Sequence, residues 1–173
     1  MLASGAEPVF VFAPFVASAV AVEPGWIDYN GHMNMAYYHV LFDRAVDEAF
    51  EIVGLGADYL TIRGASYFTA ELHTVYVREL PADAVTRTTV RIVDFDAKRV
   101  HAYFEAHHLG EGWVAATCEQ LFLHVDMASR RVSPFPDDVL TKLAAVKAVH
   151  DRLPRPPALG RTVGIKPGRM KAS

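Results

Sequence analysis

The densest run of chemically capable residues is Trp26-Ile27-Asp28-Tyr29-Asn30-Gly31-His32-Met33-Asn34. It places a carboxylate, an imidazole and an Asn-Gly turn signal directly before a segment with helical periodicity. A carboxylate there can act as nucleophile or as general base. The unpaired N–H groups at a helix start carry partial positive charge and polarise a carbonyl laid against them. Asp28 is equally a residue type that satisfies loop amides in turns, so the residues alone leave both readings standing. Gly31 supplies an unusual backbone angle. His32 either orients Asp28 or an attacking water, or is a satisfied loop residue. The oxyanion donors would be backbone amides near Asn34 and Met35. A plain N-cap accounts for the Asn34 side chain equally well.

Aromatic residues crowd the same region. Trp26, Tyr29, Tyr37 and Tyr38 flank the loop, and Tyr67 and Phe68 follow on a later segment. Rings around one small volume hold a quaternary ammonium at about 0.5–2 kcal/mol per ring. The same rings would stack on an aromatic acyl group or fill the core. Lys98, Arg99, Arg130 and Arg131 lie in or beside turns, placed to meet phosphates or to be solvated. Glu71 and His73 share a strand face. His101, His107, His108 and His124 invite a metal reading, but no H-E-x-x-H and no Cys/His pair occurs, so no metal is expected. Gly54-Leu55-Gly56-Ala57 follows a helix rather than a strand and does not read as a nucleotide loop.

These residues need elements to position them. From Asn34, apolar or aromatic side chains recur at Met35, Tyr38, Phe42, Val46, Ala49, Phe50 and Val53. Steps of three and four predict one helix that stops at Gly54, roughly 28 Å long. Strands are predicted at 15–22, 66–78, 85–94, 99–108 and 113–125. Within 99–108, Val100, Ala102, Phe104 and Ala106 take one face, and His101, Tyr103, Glu105 and His107 the other. Short turns between the strands after the helix predict an antiparallel meander. Asp137 or Asp138 caps a short helix to His150. A curved antiparallel sheet around one long helix is an α+β, hotdog arrangement. Residues 1–14 read as an N-terminal arm, 15–151 as a single domain and 152–173 as an extended tail.

Composition sets the outer bounds. A chain of 173 residues and 19.1 kDa is one domain, and 51% hydrophobic with 21% charged residues is globular. A net charge of −3 offers no global field for nucleic acid. The apolar start has no Lys or Arg ahead of it and is interrupted by Pro8 and Pro14, so neither a signal peptide nor a membrane span is expected. Cys118 is the only cysteine, which excludes an internal disulfide and fits a reducing compartment, the cytoplasm by default.

The run from Trp26 to Asn34, continued by Ala36-Tyr37-Tyr38 and Phe42-Asp43-Arg44-Ala45, resembles the active-site loop and central helix of hotdog acyl-CoA thioesterases of the 4-hydroxybenzoyl-CoA thioesterase branch. A narrower likeness rests on several pieces: Asp28 to His32, Tyr67 to Glu71 with His73, Asp94 to Arg99 with His101, residues 119–126, and Gly160-Arg161-Thr162. These are similar to betainyl-CoA thioesterases of carnitine breakdown and together span residues 22–165. The resemblance implies hydrolysis of a small acyl-CoA thioester, of betainyl or 4-hydroxybenzoyl type. Asp28 would be the catalytic carboxylate, with Gly31, His32, Asn34 and Met35 completing the catalytic loop. Trp26, Tyr29, Tyr37, Tyr38, Tyr67, Phe68, Lys98 and Arg99 would bind substrate. Asp43 matches a family position and otherwise reads as a solvated helix residue. No cofactor is implied beyond the coenzyme A carried by the substrate. A homodimer or dimer of dimers is implied, and an exposed sheet edge independently invites pairing. Two other functions suit the same fold: a hydratase or dehydratase on enoyl- or 3-hydroxyacyl-CoA using His32 and a carboxylate, and a non-catalytic acyl-CoA-binding module.

Overall fold

The structure, a computed structural model, describes residues 13–165. Most of the arm, and the tail beyond residue 165 with Pro167, lie outside the described residues. Helix α1 (Met35–Ile52) begins where expected, because Asn34 holds an extended backbone and its side chain accepts the Ala36 N–H at 3.0 Å. It ends at Gly54, whose φ of +86° a side chain would resist. Tyr38, Leu41, Phe42, Ala45, Val46, Ala49 and Phe50 form its buried face. Met35, expected on that face, is 59% exposed, since the first turn projects beyond the covered part of the helix.

The strands are β1 (Phe15–Ala21), β2 (Ala65–Tyr76), β3 (Val85–Phe95), β4 (Arg99–His108), β5 (Val114–Asp126) and the short β6 (Arg131–Val132). They form one antiparallel sheet in the order β1-β3-β4-β5-β2, with β6 on β5. This confirms the hotdog class and corrects the meander. Only β3, β4 and β5 follow one another as hairpins. β2 pairs along its whole length with β5, leaving β1 and β2 as the edges. The cause lies in the β2–β3 connection. The Leu80 carbonyl accepts Met33 N–H at 2.9 Å and Pro81 bridges to His32, so the chain crosses the start of α1 instead of turning back as a hairpin.

Alternation along the strands separates two faces. Val100, Ala102, Phe104 and Ala106 point inward and are fully buried. Phe104 meets Phe42 at 5.8 Å, and Phe122 meets Phe50 at 5.0 Å, both edge to face. Each such ring contributes about 1.5–3 kcal/mol by burial. A short helix, α2 (Tyr59–Arg63), which the sequence pattern did not show, leads into β2. Helix α3 (Asp137–His150) packs on β3, where His150 Nδ1 accepts the Ile92 N–H at 3.0 Å.

After α3, residues 151–162 hold no helix or strand and cross the outer face of the sheet. The Arg91 guanidinium donates to the Leu153 and Pro154 carbonyls, and the Gly160 N–H donates to Glu119 Oε2 at 2.7 Å. Among the described residues, no helix is long and apolar enough to cross a membrane.

Candidate active site

Residues 26–34 fold into a tight double-backed loop whose stem is a short antiparallel pairing. Ile27 bridges Met33, the Asp28 N–H donates to the His32 carbonyl at 3.1 Å, and the Asn34 N–H donates to the Trp26 carbonyl at 2.9 Å. At the tip the Gly31 N–H returns to the Asp28 carbonyl at 3.0 Å, with Gly31 at φ +85°. The pairing places the Asp28 backbone two residues along from the Trp26–Asn34 contact. That is about 7 Å from the cap of α1. Asp28 Oδ1 accepts the Asn30 N–H at 2.8 Å, which fixes the carboxylate and leaves Oδ2 uncommitted among the described residues.

The start of α1 offers the complementary group. Asn34 occupies the Ala36 N–H through its side chain and the Tyr37 N–H through its carbonyl at 3.1 Å. The Met35 N–H has no acceptor among the described residues, and the Tyr76 hydroxyl steadies the Met35 carbonyl at 3.2 Å. An unpaired amide at a helix N-terminus, near a fixed carboxylate, can polarise a carbonyl while the carboxylate delivers an attack.

The remaining candidates divide. His32 faces Glu79, 3.5 Å away, rather than Asp28. Trp26 is buried, stacks on Tyr37 at 5.3 Å, and carries the Arg44 guanidinium 5.5 Å from its ring, so its cation position is already filled. Tyr38 is buried, accepts the Leu80 N–H, and meets Tyr76 edge to face. Burial raises its pKa. Tyr67 packs on Phe50 and Phe122 and donates its hydroxyl to Asp47. Burial first, then this bond, raises its pKa. Tyr29 is 98% exposed at the loop tip, and Phe68 lies on the opposite, outer face of β2. The aromatics therefore form no single cage within one chain. Lys98 closes the β3–β4 turn and Arg99 opens β4, away from the loop, and Arg99 is engaged with Asp96.

A further stripe of side chains runs along α1. Met35, His39, Asp43 and Asp47 recur every four residues beside β2. His39 Nε2 lies 3.1 Å from Thr74 Oγ1, and Asp47 takes the Tyr67 hydroxyl. Asp43 has its carboxyl pKa raised, by burial first and then by the neighbouring Asp47 charge. The four-residue spacing was the available signal.

Comparison with known proteins follows the same lines. Residues 22–143 match the thioesterase-like superfamily. A betainyl-CoA thioesterase of Pseudomonas aeruginosa is 34% identical over 148 residues, covering 86% of this chain and 93% of that protein. An L-carnitine dehydrogenase/betainyl-CoA thioesterase of Rhizobium meliloti is 35% identical over 145 residues, covering 84% of this chain but 29% of that longer protein. A Staphylococcus aureus structure solved in complex with CoA superposes with a TM-score of 0.82 at 27% identity, covering 92% of this chain and 100% of that one.

Proposed function

The chain belongs to the thioesterase-like superfamily, and from that premise we propose that it hydrolyses betainyl-CoA, with Asp28 as the catalytic carboxylate. The class, hydrolysis of an acyl-CoA thioester, is shared with its relatives. The observation that carries the assignment to Asp28 is that its carboxylate, fixed through Oδ1, sits on the loop that leads into the unpaired Met35 N–H at the start of α1. The thioester carbonyl oxygen lies against that amide, where charge developing on it is stabilised. Asp28 Oδ2 either attacks the carbonyl carbon or takes the proton of an attacking water. The C–S bond then breaks and coenzyme A leaves as a thiolate that takes up a proton of the water consumed; where Asp28 itself attacks, that water next cleaves the mixed anhydride, releasing the free acid and restoring the carboxylate. Nothing beyond water is required, so no metal or redox cofactor enters the proposal.

The same reading includes a homodimer. β2 is a long edge strand whose free edge pairs with nothing among the described residues, and Leu72, Tyr76 and Val77 stand exposed on or just beyond it. Such an edge is a template for a second copy. An antiparallel β2–β2 pairing would bring the α1 stripe of one protomer toward the loop of the other. The lone, buried Cys118 fits a reducing compartment, and we place the enzyme in the cytoplasm.

The test is thiol release from betainyl-CoA and from 3,3-dimethylbutyryl-CoA, its uncharged isostere. A kcat/KM at least tenfold higher for betainyl-CoA supports the reading. Equal values, or no thiol from betainyl-CoA, would refute it.

A further inference from the structure

Aromatic rings in this fold differ in what already occupies them. Trp26 carries the Arg44 guanidinium, and Trp113 carries that of Arg78 at 4.1 Å. Tyr38 is buried, and Tyr67 is packed on Phe50 and Phe122 with its hydroxyl spent on Asp47. Tyr76 is different. It is 43% exposed, and among the described residues no cation lies over its ring.

Two elements fix where that ring stands. Tyr76 pairs across the sheet with the fully buried Ala116, so its side chain is on the face of β2 turned toward α1. There its hydroxyl donates to the Met35 carbonyl at 3.2 Å, and its ring meets Tyr38 edge to face at 5.2 Å. Thr74, on the same face, donates its hydroxyl to Cys118 Sγ at 3.2 Å and accepts from His39 Nε2 at 3.1 Å. Arg78, two residues further on, is drawn away to Trp113 and lies 3.9 Å from Glu111. Pairing of the β2 edge with a second copy uses backbone groups and leaves the ring on the α1 side.

The ring is close to the reacting carbonyl. Amide nitrogen and carbonyl oxygen of one helical residue are about 3.5 Å apart, so the Tyr76 hydroxyl lies no more than about 7 Å from the Met35 N–H. In a betainyl thioester the quaternary nitrogen is two bonds from the carbonyl carbon. With the carbonyl oxygen bonded to that N–H, the nitrogen falls within about 6–7 Å of the same amide.

We propose that Tyr76 is a specificity-determining residue: its open π face holds the trimethylammonium of the acyl group and selects it over an uncharged group of the same shape. This deepens the betainyl-CoA reading above and rests on it. The negative face of a phenol ring attracts a cation and offers a tert-butyl group contact alone. The bond to the Met35 carbonyl holds the ring in place before substrate arrives, so little freedom is lost on binding.

The test is the ratio of kcat/KM for betainyl-CoA to that for 3,3-dimethylbutyryl-CoA in Tyr76→Phe and Tyr76→Leu. Both variants lose the hydroxyl that steadies Met35, so a shared loss of rate cancels, and only the second loses the π face. Tyr76→Phe should keep the native ratio within about twofold, and Tyr76→Leu should lower it about fivefold or more. Phenylalanines of increasing ring fluorination at position 76 keep the shape while draining the π face, which covers the case of a Leu variant that does not fold. The ratio should fall with each fluorine. Equal ratios in the Phe and Leu variants, or a ratio indifferent to fluorination, would overturn the role of Tyr76 and leave betainyl-CoA hydrolysis standing. A native enzyme that hydrolyses both substrates equally would instead remove the substrate assignment, and the role of Tyr76 with it.

Discussion

Gly31 adopts φ +85°, and a Cβ added there would meet nothing within 4 Å. The cost of Gly31→Ala is therefore backbone strain alone, about 1–2 kcal/mol. It falls on the turn that aims Asp28. We expect kcat to drop more than tenfold while the thermal midpoint falls by only a few degrees, read by thiol release and by a melting curve. Much of this loop was legible in the sequence. Asn30-Gly31 is a local turn signal, and Asn34 before an apolar period is a local cap signal. The partner of Tyr67 was not legible, because Asp47 lies 20 residues away and is brought near only by packing. The Glu119–Gly160 bond, 41 residues apart, was hidden for the same reason. In sequence His32 reads as an orienter of Asp28 or of water, or as a satisfied loop residue, and only the fold brings distant Glu79 to it.

Helix α1 is the element on which the site depends, and its Phe42 ring is, like that of Phe50, 0% exposed and is packed on Phe104. Phe42→Ala leaves a cavity that the sheet cannot close. A loss of about 3–5 kcal/mol is expected in denaturant unfolding. Helix and strand existence followed from periodicity, and β4 was bounded correctly because Val100 to Ala106 alternate without interruption. Periodicity does not say which strands are neighbours. The short connection after β2 suggested a hairpin, whereas its Leu80–Met33 bond ties it to the loop and sends β2 to the far edge. Helix α2, Tyr59–Arg63, is too short to show a period.

At the scale of the whole molecule, the unpaired β2 edge predicts a particle of at least twice the 19.1 kDa chain mass in light scattering, and a single-chain mass would contradict the dimer. Stability should also depend on pH through His107. The Glu105 carboxylate, 3.4 Å away, is the largest influence and raises the imidazole pKa above 6.5, against the effect of burial. The folded chain thus holds this proton more tightly than the unfolded one. The resulting stability is complete below pH 6.5 and is lost as pH rises through the raised value. The melting temperature should therefore fall more steeply from about pH 6 to pH 8.5 in the native chain than in Glu105→Gln. Loop, helix start and sheet converge on one proposed chemical event, cleavage of a thioester beside Asp28. Its most direct test is the kcat of Asp28→Asn for betainyl-CoA, with circular dichroism confirming the fold. A fall of roughly 10³-fold with KM little changed is expected; a kcat within a few-fold of the native value would contradict it.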